Sequence, residues 1–326
     1  MRALLLTKYG DPPVVTLGDT AVPVAGTSQV VVRVQAAGLN PVDVKLARGF
    51  MKAVMPFDLP VALGWDFAGI IESVGPGVGR YQPGLAVFGS FGPPSGSAAE
   101  LLVADAEGPW MAPRPTGLPI RDAAALPMVG LTAITAQRAL ARSGVVLVIG
   151  ASGGIGAFLV PLLARAGITV VATGTGDSID RLKAAGADSV IDYRTANVAE
   201  AIRGRADGVD AIIDLVNQFD ALRASADLLR PGGQLLSTLF GPDPSELAGR
   251  DIELTYVRNS PQDGDLERVA DLVTSGVVQP APYRTTSFAE AETGFGDLAA
   301  GQKIVLDFGD ADAAIGAGGP ARPGAA

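Results

Sequence analysis

The sequence contains neither cysteine nor histidine among its 326 residues. Without cysteine, the chain forms no disulfide and offers no thiolate nucleophile. Tetrahedral zinc sites are built mainly from Cys and His, so the two absences together predict a protein without a metal site. Imidazole is also the usual general base near neutral pH, and any chemistry of this chain must run without it.

Charge and hydropathy exclude further classes of protein. The net charge of −9 predicts that no broad basic surface is available for nucleic acid. The apolar run at the N-terminus is too short for a signal peptide. The uncharged residues 143–164 are about as long as a membrane span, but four of the seven residues 150–156 are glycine. We interpret this stretch as a strand, a turn and a core helix, and we expect a cytoplasmic protein without a membrane partner.

The pattern along the chain predicts an α/β protein of two domains. Residues 1–121 carry short strand signals separated by Gly- and Pro-rich turns, which indicates a compact, partly closed β domain. Residues 122–258 alternate apolar strands with helices, which is typical of a doubly wound parallel sheet covered on both faces. We expect residues 259–309 to return to the first domain and the Ala/Gly/Pro-rich residues 310–326 to be disordered.

A glycine-rich turn is the most informative local feature. The predicted buried strand Val145–Ile149 is followed by Gly150 and then by a predicted helix. Such a strand–turn–helix unit lets backbone N–H groups and the positive end of the helix bind a dinucleotide's diphosphate. A tight turn without a ligand remains the alternative. The aligned pattern is Ala-x-Gly-x-x-Gly, and the predicted cofactor-binding residues are Ala151, Ser152, Gly153, Gly154, Ile155 and Gly156.

The next strand bears on the choice of cofactor. NAD sites usually place an acidic residue about 20 positions after the glycines, on the adenosine ribose. Here the strand ends at residues 171–176 without an acid, and Asp177 follows it. A carboxylate at the strand end would repel a 2′-phosphate, so its absence favours NADPH. Thr173 and Arg181 are the predicted phosphate ligands, although Arg181 fits a solvated helix face equally well.

Several short motifs occur in an order that resembles a known family. They are Gly38–Lys45, Leu63–Gly69, Gly130–Ala133, the glycine turn, Gly186–Asp188, Ile191–Tyr193 and Lys303–Leu306. Each motif is weak alone, but the ordered set resembles the zinc-independent quinone oxidoreductases of the medium-chain dehydrogenase/reductase superfamily. The likeness covers roughly residues 1–308.

This resemblance implies the fold, the cofactor and the assembly. It implies a GroES-like β-barrel domain and a Rossmann domain that together bind NADPH, and it implies a homodimer. In zinc-dependent relatives a His ligand follows the Leu-Gly pair. This chain has Gly64-Trp65-Asp66 there, and it lacks the cysteine-rich structural lobe. The family and the composition therefore both predict zinc independence.

The resemblance also implies two catalytic residues. Asn40 would lie near the nicotinamide and the substrate carbonyl, although a turn residue before Pro41 is the alternative. Many relatives carry a substrate-facing tyrosine a few residues after the Asn-x-x-Asp segment. Residues 44–51 contain no tyrosine, so Lys45 or water would serve instead.

Five further residues are predicted by the resemblance to contact the cofactor. Thr132 would bond the nicotinamide end, Tyr193 the adenosine phosphate, and Lys303 the cofactor phosphates. Leu239 and Phe240 would line the nicotinamide pocket. The alternatives are a helix cap for Thr132, a strand-end aromatic for Tyr193, a solvated lysine for Lys303, and core positions for Leu239 and Phe240.

Three functions follow as hypotheses. The first is NADPH-dependent hydride transfer to a small-molecule quinone or α,β-unsaturated carbonyl, because such acceptors stabilise their own anions without zinc or imidazole. The second is an enoyl reductase or reductive cyclase acting on a polyketide-like biosynthetic intermediate. The third is a non-catalytic NADPH-binding protein.

Overall fold

The computed structural model describes residues 1–142, 144–204, 208–239 and 241–309. These residues form two compact units. The first unit contains Met1–Arg114, Pro119–Ala125 and the chain from Tyr283 onward, and the second contains Pro115–Leu118 and Leu126–Pro282. The predicted disordered tail, residues 310–326, lies outside the described residues.

Strands dominate the chain before residue 114, whereas strands and helices alternate regularly after it. The elements up to Ala125 are strands β1 (Arg2–Lys8), β2 (Val14–Asp19) and β3 (Gln29–Leu39), helix α1 (Pro41–Ala47), strands β4 (Val61–Ala62), β5 (Asp66–Val74), β6 (Ala86–Ser90), β7 (Leu101–Asp105) and β8 (Met111–Pro113), and helix α2 (Ile120–Ala125). The second unit contains α3 (Pro127–Ala139), β9 (Val145–Ile149), α4 (Gly154–Arg165), β10 (Thr169–Gly174), α5 (Ser178–Ala184), β11 (Ser189–Asp192), α6 (Val198–Arg203), β12 (Val209–Asp214), α7 (Phe219–Ser225), β13 (Leu229–Ser237), β14 (Ile252–Tyr256) and α8 (Asp265–Thr274). The chain then adds β15 (Arg284–Ser287), α9 (Ala291–Ala299) and β16 (Ile304–Asp307) to the first unit.

The second unit is built on a parallel six-stranded sheet in the order β11-β10-β9-β12-β13-β14. Its central strand β9 is apolar and largely buried, as expected where helices cover both faces. This order reverses direction at β9, the first strand of the unit, and ligands of open α/β sheets bind at such a switch point. The predicted Rossmann fold is confirmed.

The first unit is mainly antiparallel, with β15 and β16 as a parallel pair, and encloses its own core. Strand β3 pairs with β5, β7 and β16. This long strand therefore joins β16, near the end of the described chain, to strands from its first third in a seven-stranded sheet. Strands β2, β1 and β4 form a smaller sheet. The large side chains Phe67, Leu39 and Met111 are buried between these strands. The predicted β-barrel domain is confirmed.

The chain returns to the first unit later than the sequence predicts, at Tyr283 instead of residue 259. Helix α8 keeps residues 259–282 with the second unit, because it packs against α3. The carboxylate of Asp265 accepts two hydrogen bonds from Arg138, at 2.8 and 2.9 Å. Leu266, Val269 and Ala270 recur at helical spacing after an acidic first turn, and the sequence analysis did not use this pattern.

No helix within the described ranges is long and apolar enough to cross a membrane.

Candidate functional site

The glycine turn has the geometry that a diphosphate site requires. Gly150 has φ of +80°, a conformation that favours glycine. A Cβ at Gly156 would lie 2.1 Å from the carbonyl oxygen of Ala151, so only glycine fits there. At Gly153 the nearest atom to an added Cβ would be 3.5 Å away, and the residue is exposed. The turn is therefore tight on its inner side and open on its outer side.

The helix behind this turn leaves donors available. Helix α4 begins at Gly154, and its cap residue Gly153 provides no side-chain hydrogen bond. The first N–H groups of a helix have no partner within the helix, and the helix dipole adds positive potential there. Ser152 and Ile155 lie in the same turn and are partly exposed. The predicted residues 151–156 thus form one cradle that can hold an anionic diphosphate.

The two predicted 2′-phosphate ligands lie beside this cradle in different environments. Thr173 is 2% exposed, and its Oγ1 accepts the N–H of Gly150 at 3.0 Å. This hydrogen bond fixes the glycine turn from its buried side, and the contact of Thr173 with a phosphate stays a prediction. Arg181 on α5 donates from Nη2 to the carbonyl oxygen of Ser152 at 3.0 Å. Its guanidinium therefore lies against the turn, with further N–H groups available to an anion.

Of the remaining predicted cofactor residues of the second unit, Thr132 lies inside α3, and Tyr193 and Leu239 follow strands. Thr132 on α3 is 7% exposed, and its Oγ1 lies 2.7 Å from Oδ1 of Asn259 and 2.6 Å from the carbonyl oxygen of Met128. Tyr193 follows β11 and is 53% exposed. Leu239 follows β13 and is half-buried, whereas Phe240 lies outside the described residues. The contacts of all four with a cofactor stay predictions.

A buried polar cluster in the first unit surrounds Asn40. The Nδ2 group of Asn40 donates to Oδ2 of Asp66 at 2.9 Å and to the carbonyl oxygen of Gly38 at 3.3 Å. Its Oδ1 accepts a hydrogen bond from Nζ of Lys303 at 2.5 Å. Lys303 was predicted to contact cofactor phosphates. The structure places its ammonium on Asn40 instead, and the phosphate contact stays a prediction.

Asp43 fixes the backbone of this cluster. Its two carboxyl oxygens accept the backbone N–H groups of Asn40 at 2.8 Å and Gly64 at 2.7 Å. Because Asp43 is fully buried, desolvation raises its pKa to about 7, although the two N–H groups and Lys303 act in the opposite direction. The carboxyl group holds the start of α1 against the Gly64 turn.

Asp43 and Asp66 both lie within the family-like motifs of the sequence, but the sequence analysis assigned no role to either residue. Both have 0% exposure, and both bind Asn40. The available signal was a carboxylate in an otherwise apolar context: Asp66 begins the buried run of β5, and Asp43 lies three residues after the cap position of α1. A buried carboxylate must be paired or hydrogen-bonded, which marks both as part of a network.

Lys45, the second predicted catalytic residue, lies on α1 and is half-buried. Burial lowers the pKa of its ammonium group. No ion pair is formed by Lys45 within the described part of the chain. A partly desolvated, unpaired ammonium is a hydrogen-bond donor that a substrate oxygen can use, and the catalytic role of Lys45 stays a prediction.

A zinc ion does not fit the residues around Asn40. The chain has no Cys or His, both oxygens of Asp43 accept backbone N–H groups, and the ammonium of Lys303 lies 3.8 Å from Oδ2 of Asp66. Across the described residues, no group of three or more acidic side chains is placed to hold a metal ion. We therefore derive no step through a metal.

Comparisons with known families match both units. Residues 26–114 match the alcohol dehydrogenase GroES-like domain, and residues 185–305 match a domain described as zinc-binding dehydrogenase. The zinc in that description belongs to the family model, and the ligands for it are missing from this chain.

Relatives of known name extend the match over most of the chain. Quinone oxidoreductase of Rattus norvegicus is 35% identical, over 72% of this chain and 72% of the rat protein. The spectinabilin polyketide synthase system protein NorB of Streptomyces orinoci is 32% identical over 88% of this chain, which corresponds to 13% of NorB. The solved quinone oxidoreductase of Coxiella burnetii is 28% identical, covers 95% of this chain and 99% of its own, and superposes with a TM-score of 0.84. Together with the two domain matches and the shared fold, these similarities show that the chain belongs to the quinone oxidoreductase family of the medium-chain dehydrogenase/reductase superfamily.

Proposed function

We propose that this protein binds NADPH and uses it to reduce a small quinone or α,β-unsaturated carbonyl, without zinc. The observation that carries the proposal is the glycine turn at the start of α4, which combines a left-handed Gly150, an open Gly153 and unpaired helix N–H groups. The same proposal includes a cytoplasmic location and a homodimer, of which the family resemblance implies the homodimer.

The residues of the second unit fit a dinucleotide. The turn Ala151–Gly156 and the N-terminus of α4 would hold the diphosphate, and the guanidinium of Arg181 beside Ser152 would bind the 2′-phosphate. Thr132, Tyr193 and Leu239 are proposed to contact other parts of the cofactor. When bound, the nicotinamide supplies the hydride.

The substrate class follows from the groups the chain lacks. An isolated ketone needs a Lewis acid or general acid at its oxygen, and this chain offers neither zinc nor imidazole. A quinone or enone delocalises the developing charge and requires less assistance. Asn40 is proposed to hold the side chains of Asp66 and Lys303 in place beside the substrate. The unpaired ammonium of Lys45 is proposed to stabilise charge on the substrate oxygen. The quinone oxidoreductases among its relatives support this choice.

A second candidate is reduction of a polyketide-like enoyl intermediate, or its reductive cyclisation. The specific observation is the match of nearly the whole chain to a segment of NorB, a protein of a polyketide synthase system. Many relatives carry a substrate-facing tyrosine in the stretch that contains Lys45. Its absence here also indicates that the substrate site differs from theirs.

The test is consumption of NADPH by the purified protein with a panel of quinones, simple enones and polyketide-like enoyl thioesters. Turnover with quinones or simple enones supports the proposal. Turnover confined to polyketide-like acceptors supports the second candidate. If NADPH binds but is never oxidised, the protein is a non-catalytic binder, and if neither NADPH nor NADH binds, the dinucleotide site itself is disproved.

Gly153→Ala tests the cradle directly. The added Cβ meets no atom nearer than 3.5 Å in the free protein, so the fold should tolerate it. The same methyl group enters the space proposed for the diphosphate, so the NADPH dissociation constant should rise by roughly tenfold or more, about 1.4 kcal/mol. Titration calorimetry measures this value.

Gly249→Ala is the matched control, because no atom lies within 4 Å of a Cβ at that glycine of the same unit. It should leave both the thermal midpoint and NADPH affinity unchanged. Wild-type affinity in Gly153→Ala would show that the diphosphate does not lie at this turn.

A further inference from the structure

Strand pairing brings Lys303 beside Asn40. Ile304 of β16 pairs with Leu39 of β3, and Asp66 of β5 pairs with Gly38 on the other side of β3. Lys303 and Asn40 are each one residue beyond the pair of Ile304 and Leu39. Two antiparallel ladders therefore hold an ammonium, an amide and a carboxylate at one end of the sheet.

The hydrogen bonds of Asn40 leave it no free donor. An asparagine amide has two hydrogens, and those of Asn40 go to Oδ2 of Asp66 and to the carbonyl oxygen of Gly38. Its Oδ1 is held by Lys303. Direct donation from Asn40 to a substrate oxygen would require breaking one of these bonds.

The ammonium of Lys303 retains N–H groups beyond the one that bonds Asn40. An ammonium carries three N–H groups, and one is directed to Asn40. Its distance of 3.8 Å from Oδ2 of Asp66 is that of an ion pair rather than a hydrogen bond. The Lys303 side chain is 18% exposed, and burial desolvates its ammonium.

A second unsatisfied group lies near the same carboxylate. Ser90 of β6 pairs directly with Asp66 of β5, so the two side chains lie on the same face of the sheet. The Ser90 hydroxyl is buried and forms no hydrogen bond with any residue the structure describes. Buried polar groups are normally bonded, so the unpaired Ser90 hydroxyl shows that the polar groups around Asp66 are not all satisfied within the sheet.

We propose that Lys303, in addition to Lys45, donates a hydrogen bond to the substrate oxygen on which negative charge develops, and that Asn40 and Asp66 are positioning residues for its ammonium. This rests on the proposed reduction of a quinone or enone. For an enone, a bound reduced nicotinamide would supply a hydride to the β-carbon and would itself be oxidised by two electrons. The π electrons of the conjugated system would shift onto the carbonyl oxygen, to which Lys303 donates its hydrogen bond, and solvent would supply the proton of the product.

The charges around Lys303 predict how its contribution varies with pH. The charged groups that face its ammonium are Asp66 from β5 and Asp43 from α1. Burial lowers the pKa of Lys303 below its usual value, and both carboxylates act in the opposite direction. Activity should therefore fall on the alkaline side as the ammonium loses its proton.

The experiment compares Lys303→Gln and Lys303→Arg with the wild type, using 1,4-benzoquinone and trans-2-hexenal as acceptors. Lys303→Gln retains a donor to Asn40 but no charge, so kcat should fall by about 100-fold, while NADPH affinity stays within about twofold. Lys303→Arg keeps a charge that does not titrate, so its alkaline limb should move to higher pH. Lys8→Gln removes an exposed lysine of β1 and serves as the control that should leave every value unchanged.

Asp66→Asn provides a second readout if Lys303→Gln fails to fold. Removing the negative charge lowers the pKa of Lys303 further, so the alkaline limb of kcat/KM should move to lower pH. Wild-type kcat in Lys303→Gln, or an alkaline limb unmoved in both Lys303→Arg and Asp66→Asn, overturns the inference. Weaker NADPH binding at unchanged kcat would assign Lys303 to the cofactor phosphates. A wild type that turns over no acceptor defeats the proposed function itself, whereas turnover unaffected by these variants defeats only the role of Lys303.

Discussion

At the scale of single residues, Asp43 makes folding depend on pH. Its pKa rises from 3.8 to about 7 on folding because of burial, so the folded protein holds this proton more tightly than the unfolded chain. The resulting stabilisation is fully present below pH about 4 and is lost as the pH rises through about 7.

Asp43→Asn removes this titration, because the amide is neutral at every pH. We expect the wild type to lose more unfolding free energy between pH about 5 and about 8 than Asp43→Asn does, as measured by urea denaturation. The variant should also be less stable at low pH, because it keeps only one oxygen acceptor for the two backbone N–H groups. Asp19→Asn, at an exposed position, is the control. Equal pH slopes for Asp43→Asn and the wild type would contradict the assignment.

At the scale of elements, the contact between α3 and α8 requires a glycine. A Cβ at Gly130 would lie 2.6 Å from Cγ2 and 2.7 Å from Cγ1 of Val269. Ala normally stabilises a helix interior by about 1 kcal/mol relative to Gly. Gly130→Ala should instead destabilise the protein, because the overpacking cost of about 1–3 kcal/mol exceeds this gain.

A double-mutant cycle isolates this contact. Val269→Ala removes both methyl groups that the new Cβ would meet, so Gly130→Ala should be tolerated far better in the Val269→Ala background. Thermal unfolding of the four proteins measures the coupling. Additive effects would show that the two helices do not meet through this pair.

At the scale of the whole molecule, cofactor choice cannot depend on the overall field, because a net charge of −9 repels NADPH. Local hydrogen-bond donors must outweigh this repulsion, and the guanidinium of Arg181 lies against the glycine turn. Arg181→Gln should weaken NADPH binding while leaving NADH binding nearly unchanged.

The shift of the unfolding temperature reports both affinities. A ligand at 100 times its dissociation constant stabilises the folded state by about 2.7 kcal/mol. NADPH should therefore raise the wild-type midpoint more than equimolar NADH does, and Arg181→Gln should abolish the difference. Lys183→Gln, an exposed change on the same helix, should preserve it. An equal loss of both shifts in Arg181→Gln would mean that the arginine supports the turn rather than the 2′-phosphate.

The proposed metal independence also belongs to the scale of the whole chain. Because the sequence has no Cys or His, prolonged EDTA treatment should leave turnover unchanged, and added Zn²⁺ should not increase it. Activity lost to the chelator and restored by zinc would contradict the proposal.

Local signals in the sequence predicted much of the second unit. The strands at 145–149 and 189–192 and the helix beginning at 154 occur where the apolar runs and glycines indicate them. These signals are local because a buried parallel strand is apolar along its length and a glycine is required where φ is positive. Helix α8 was missed although its acidic first turn and the spacing of Leu266, Val269 and Ala270 are local signals for a helix.

The sequence by itself determined the family, the absence of zinc ligands and the position of the glycine turn, since each depends on residue types or on neighbours in the chain. Only the tertiary structure decided which groups Asn40, Asp66 and Lys303 contact. Asn40 and Lys303 are 263 residues apart in sequence, and Asn40 and Asp66 are 26 apart. The register of β3 with β5 and β16 brings them together, and pairing between distant strands is set by the packing of the whole sheet.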